Sequence, residues 1–166
     1  MTCVMVSMPQ ATALFADRHT AHAAVEQLVQ AGFARDALSL VMSEETHERE
    51  FGAPSSGLRS TFRQARQCGV LATIVTGLAS FAARGDGIAV RAAGPVVHAL
   101  RRVGVRAGSL LAPAMVATGL GEVEARAADW GLRNGGIFVG VDASVDRVAM
   151  ARALLELSGG AALQAA

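Results

Sequence analysis

The chain has 166 residues, enough for one domain or for one domain carrying a large insertion. Hydrophobic residues make up 52% and charged residues 17%, which excludes intrinsic disorder. Every one of the fifteen basic side chains is arginine, and the fourteen acids leave a net charge of +1, so the chain as a whole is not built to grip a nucleic-acid polyanion.

Residues 1–10 carry no basic side chain and no long apolar run, so no secretory leader is expected and the protein is expected in the cytoplasm. Its two cysteines, Cys3 and Cys68, are expected to stay reduced there. Two are also too few for a disulfide framework or a zinc site.

Three compositional parts follow one another. In residues 1–50, the alternation over 11–16 predicts a strand. Asp17 then stands where an N-cap belongs, and Ala21, Ala24, Val25 and Leu28 recur at the spacing of one helical face. Gly32 is placed to end that helix in the left-handed conformation, with Phe33 folding back onto the last turn. Residues 37–42 read as a second strand, and the acidic stretch 43–50 as a short capped helix.

Residues 51–121 are rich in glycine and alanine and hold a single acid, Asp86. Gly52-Ala53-Pro54-Ser55-Ser56-Gly57 reads as a joint. Residues 58–68 read as a basic amphipathic helix with Arg59, Arg63 and Arg66 at i, i+4 and i+7. Two uncharged runs, 69–83 and 107–121, are read as a helical hairpin or a set of short helices. Fifteen uncharged residues span only about 22 Å as a helix, short of the roughly 30 Å hydrocarbon core of a bilayer, so a transmembrane hairpin is not expected.

Residues 122–166 return to an ordinary pattern. Glu122 and Glu124 open a helix and Arg126 and Arg133 follow, the polarity that the helix dipole favours. Asn134-Gly135-Gly136 stops it, and residues 137–141 form a strand of buried composition. Ser144 is read as the cap of a helix running to Ser158, with Val148, Ala151 and Leu155 inward. Gly159-Gly160 ends that helix before a short final strand in 161–165. The expected fold is therefore α+β and ferredoxin-like, with residues 1–50 and 122–166 as one sandwich and 51–121 as a helical insertion.

At this point the chain resembles the bacterial general stress protein, or heat-induced stress protein, family. The residues that carry the resemblance begin with Leu14-Phe15-Ala16-Asp17-Arg18, Ala24-Val25-Glu26-Gln27-Leu28 and Ala31-Gly32-Phe33. They continue with Ala93-Gly94-Pro95 and with Gly119-Leu120-Gly121-Glu122-Val123-Glu124-Ala125. They finish with Gly131-Leu132-Arg133-Asn134-Gly135-Gly136-Ile137-Phe138-Val139 and the helix to Leu157. The match spans most of residues 11–160, and its motifs are turns, caps and small-residue packing. The resemblance implies a non-enzymatic protein linked to stress responses, with no catalytic residue to carry over. The chain departs from the family at Trp130, where Tyr or Phe is more usual, and in lacking lysine.

No catalytic signature stands out. There is no Gly-x-Ser-x-Gly elbow and no phosphate-loop lysine. His19, His22 and Glu26 share a helix start but fall short of a metal set, and His47 lies among Glu44, Glu45, Glu48 and Glu50 as part of a solvated charge run. His98 reads as a packed polar group and Cys68 as an inert thiol. No metal or cofactor is expected.

The informative feature is the insertion. Gly69, Thr73 and Gly77 are spaced by four, as are Gly104, Gly108 and Ala112, so each series lets a second helix approach closely. The leading expectation is a non-enzymatic, stress-associated scaffold that self-associates into a homo-oligomer through this segment. One alternative is a peripheral membrane protein using Arg59, Arg63, Arg66, Arg101 and Arg102 against anionic headgroups. A second is a small regulatory ligand-binding domain. No nucleic-acid partner is expected, since the basic stretch lacks interleaved aromatics for base stacking.

Overall fold

The structure, a computed structural model of the chain, describes residues 10–51, 79–81, 90–97, 116 and 120–162. In chain order these form β1 (Gln10–Phe15), α1 (Arg18–Gln30), a single 3-10 turn (Arg35–Ala37), β2 (Leu38–Ser43), α2 (Glu44–Phe51), β3 (Ala79–Phe81) and β4 (Val90–Ala93). They are followed by α3 (Glu122–Arg133), β5 (Ile137–Asp142), α4 (Val148–Leu157) and β6 (Ala161–Ala162).

Local chemistry sets the helix ends. The Asp17 carboxylate accepts from the Thr20 amide at 2.8 Å, so α1 starts where the sequence predicts. Gly32 takes a φ of +93°, and the Phe33 amide turns back to the Leu28 carbonyl at 3.1 Å. Ser43 caps α2 through its hydroxyl, which accepts from the Thr46 amide at 3.0 Å. Residues 134–136 close α3 by donating to carbonyls of residues 130–132. Ser144 behaves differently from its expected role. Its carbonyl accepts from Arg147 and Val148, forming a turn, and α4 begins only at Val148.

The strands form one sheet in the order β3-β4-β2-β5-β1-β6, each neighbouring pair antiparallel. Because β1 and β2 both run antiparallel to β5, they are parallel to each other with β5 between them, and α1 connects them. By the same logic β5 and β6 flank β1 and are joined by α4. Two interlocked strand–helix–strand units in the order β6-β1-β5-β2 make an α+β fold compatible with a ferredoxin-like plan.

Period-2 alternation splits the sheet into two apolar faces. Ala11, Ala13 and Phe15 of β1, Leu38, Leu40 and Met42 of β2, and Ile137, Val139 and Val141 of β5 pack with Ala21, Ala24, Val25 and Leu28 of α1 and with Ala151 and Leu155 of α4. The Arg147 guanidinium crosses between the two helices. It sits 4.2 Å from the Phe33 ring centroid and donates to the Ala31 carbonyl at 3.0 Å. On the reverse face, Val41, Phe138, Val90 and Ala92 pack with Val96, Leu120 and the Ala125, Ala128 and Leu132 side of α3. The sheet is therefore covered by helices on both sides, α1 and α4 on one and α3 on the other.

The helical reading of residues 51–121 is corrected at two places. Residues 79–81 and 90–93 are strands, and β4 pairs with β2 from Leu40–Ala93 to Ser43–Val90. Small side chains explain the misreading: Val90-Arg91-Ala92-Ala93 offers no strong polar alternation, yet its backbone satisfies the open edge of β2. Gly94 then turns the chain with a φ of +88°, and a Cβ there would overlap the Leu38 carbonyl oxygen and lie 2.9 Å from Ser39 Cα.

Candidate functional site

Gly69, Thr73, Gly77, Gly104, Gly108 and Ala112 lie outside the described residues, as do Arg59, Arg63, Arg66, Arg101 and Arg102. Cys3, Cys68 and His98 fall outside them too. The surfaces that can be built from the residues upward are the corner around α2 and the outer faces of α3 and α4.

The α2 corner is a cluster of charge held by arginines from two other elements and by Arg49 of α2 itself. Glu44 takes Arg91 of β4 in a two-pronged grip, with Nε 2.9 Å from both carboxylate oxygens and Nη2 2.6 Å from one. That hydrogen bonding holds the Glu44 carboxyl below its usual range and raises the Arg91 guanidinium. Arg18 of α1 lies 5.0 Å from the Phe51 ring centroid and donates to the Glu50 carbonyl at 3.1 Å. Arg49 donates to the Gly135 carbonyl at 3.1 Å. His47 stacks on Phe51 with ring centroids 6.1 Å apart. Burial first, and then Arg91, push its imidazole pKa down. The corner is a clamp that seats a polar helix on the sheet. Its Glu44 is spent on Arg91, and so Arg91, one of the cations of the basic segment, is engaged within the body.

The histidine pair at the start of α1 gives one contact, His22 Nε2 to Glu26 Oε1 at 3.9 Å, both partly exposed. Among the described residues no group of three or more histidine, cysteine, aspartate or glutamate side chains converges as a metal set. Among them, too, no helix is long and apolar enough to cross a membrane.

The outer face of α3 is where sequence reasoning missed a feature. Ala125, Ala128, Asp129 and Leu132 face inward at i, i+3, i+4 and i+7. Val123 and Trp130 are seven apart and stand on the opposite pole, 74% and 72% exposed. Around them lie Glu122 and Arg126, paired at 2.6 Å in solvent, and Arg133, which donates to Asp129 at 3.1 Å. The Asn134 amide donates to the Trp130 carbonyl at 2.8 Å and fixes the end of the helix. The second carboxylate oxygen of Asp129 is buried without a hydrogen-bond partner. On the other side of the sheet, Met150 and Leu157 of α4 are also seven apart and exposed, with Val145 just before them. The signal for both stripes was present in the spacing.

Chemically, these stripes offer apolar area and a fringe of opposite charges. Compared with known protein families, with curated proteins and with solved structures, the chain finds no match in any of the three.

Proposed function

We propose that this chain is a non-enzymatic, stress-associated assembly protein whose ferredoxin-like body self-associates, with the Gly/Ala-rich segment 51–121 as part of its association surface. The stress association rests on the resemblance described above. The observation that carries the assembly reading is the bare apolar pole of α3, where Val123 and Trp130 are each more than 70% exposed on a helix whose inner face is fully packed. A tryptophan left in water on a rigid helix is the residue type most enriched at the centres of protein interfaces. The four-residue spacing of Gly69, Thr73 and Gly77 and of Gly104, Gly108 and Ala112 in the sequence is the pattern on which helix backbones approach closely.

Size-exclusion chromatography with light scattering on the full chain tests the reading. An oligomeric mass is expected, and replacing Gly69 and Gly104 by leucine is expected to lower it. A single monomeric species at all concentrations overturns the reading.

A further inference from the structure

We infer that the outer face of α3 is the docking surface for a second copy of this chain, the two α3 helices lying antiparallel across a two-fold axis. The inference deepens the assembly reading and rests on it, adding the occupant and the geometry.

The argument begins with the pattern of one helix. Val123 and Trp130 are two turns apart on the same pole. An antiparallel copy related by a two-fold midway between them sets Val123 against the other copy's Trp130 and the reverse, so one small and one large side chain meet twice. Between them, near the axis, stands the aliphatic stem of the exposed Arg126, while Ala127 is partly buried against the core.

Charge settles the direction. The first turn of α3 holds Glu122 and Glu124, and the last turn holds Arg133. Glu122, Arg126 and Arg133 share one flank of the helix, beside the apolar pole. A parallel pairing would align acid with acid and base with base. An antiparallel pairing brings Glu122 of each copy alongside the other's Arg133, and it opposes the helix dipoles as well. On this flank the Glu122 and Arg126 side chains are 74% and 71% accessible, whereas Arg133 is 28% accessible and already pairs with Asp129, so the incoming Glu122 would share it.

The surface is modest. A helix of twelve residues is about 18 Å long, and one such pair covers less than the roughly 1,200 Å² at the lower end of a standard interface. The expected dimer is therefore reversible and concentration-dependent, which makes it measurable by dilution. Trp130 is the sole tryptophan of the chain, so its emission reports on this face alone.

The test follows mass by light scattering together with Trp130 emission and acrylamide quenching, over about three decades of protein concentration. The expected result is a dimer whose Trp130 emission moves to shorter wavelength and whose quenching falls as concentration rises. Val123→Glu, which buries a charge in the seam, is expected to raise the dissociation constant at least about tenfold with unchanged circular dichroism. Glu122→Arg, which sets two arginines together across the axis, is expected to weaken the dimer too, and added salt is expected to lessen the difference between it and the parent chain. An oligomer whose Trp130 stays quenchable at every concentration, and whose mass ignores Val123→Glu, overturns the α3 interface while leaving the assembly reading standing. A monomer at all concentrations overturns both. Short-wavelength emission that does not change on dilution of a monomer overturns the inference by showing that the chain covers its own stripe.

Discussion

Two glycines show how the same steric warning leads to opposite outcomes. At Gly94 an added Cβ would strike the Leu38 carbonyl, which is backbone of β2 at the residue registered with Val141 of β5. The position also holds a φ of +88°, which costs an L-residue about 1–2 kcal/mol by itself. Gly94→Ala is therefore expected to lower stability by at least about 2 kcal/mol, read as a fall in the urea midpoint at constant slope. At Gly131 the obstacle is Leu14 Cδ1, the free end of a half-buried side chain. Gly131 lies in the last turn of α3, so alanine gains at most the about 1 kcal/mol of helix propensity that a mid-helix site gives, and moving Leu14 off its rotamer costs about 0.5–1.5 kcal/mol. Gly131→Ala should thus change stability by less than about 1 kcal/mol, and a loss as large as that at Gly94 would show that Leu14 cannot move. Neither role was legible beforehand. Ala93-Gly94-Pro95 marked a turn, but which backbone the turn would graze depends on β4 pairing with β2, a contact between segments about fifty positions apart in the chain.

Among the elements, α2 depends most on charge. Only Thr46 of its eight residues is buried, and its seat is made by Arg18, Arg91 and the grip of Arg49 on the Gly135 carbonyl. Glu44→Gln is expected to cost about 1 kcal/mol near neutral pH, the upper end for a pair half open to solvent. The sign with pH follows from the carboxyl being held below its ordinary value of 4.5 in the folded state. Its contribution is complete above that value and fades as the pH falls through the lower, folded one. Thermal midpoints of the parent chain and Glu44→Gln should therefore converge in acid, and curves that stay parallel down to about pH 3 would refute the pairing. Elements with a strong pattern were legible: α1 announces itself by Asp17 and by four apolar residues at helical spacing, Phe15 sits on a strand read from alternation, and Val139 on one read from its buried composition. The weak strands β3 and β4 were not, because a strand of small residues is defined by the neighbour whose edge it closes. The start of α4 was misjudged for a similar reason, since the Ser144 hydroxyl is engaged with the Asp146 carboxylate and the helix begins only at Val148.

At the scale of the whole molecule, the sheet is a partition. One apolar cluster unites α1, α4 and the inward residues of β1, β2 and β5, and a second unites α3, β4 and the reverse face. The general plan could be read because both strand–helix–strand units carry their own caps and turns. The placement of α3 could not, since a helix with apolar residues on one side fits either face of a sheet. The same ambiguity hid the candidate surface. Trp130 reads equally as a core residue or a surface one until Ala125, Ala128 and Leu132 are seen to fill the only inward side. The partition has a measurable consequence. Val25 lies wholly in the first cluster and Leu132 wholly in the second, with the backbone of the sheet between them and no shared side-chain neighbour in either cluster. Val25→Ala should cost about 2 kcal/mol and Leu132→Ala about 2–5 kcal/mol, from lost burial and the cavity left behind. If the two cores respond separately, the double variant loses the sum of the two to within about 0.5 kcal/mol. A coupling above about 1 kcal/mol in urea unfolding would mean that the sheet bends to relieve one cavity at the expense of the other. It would then transmit strain between the α1 and α4 layer and the helix that carries Trp130.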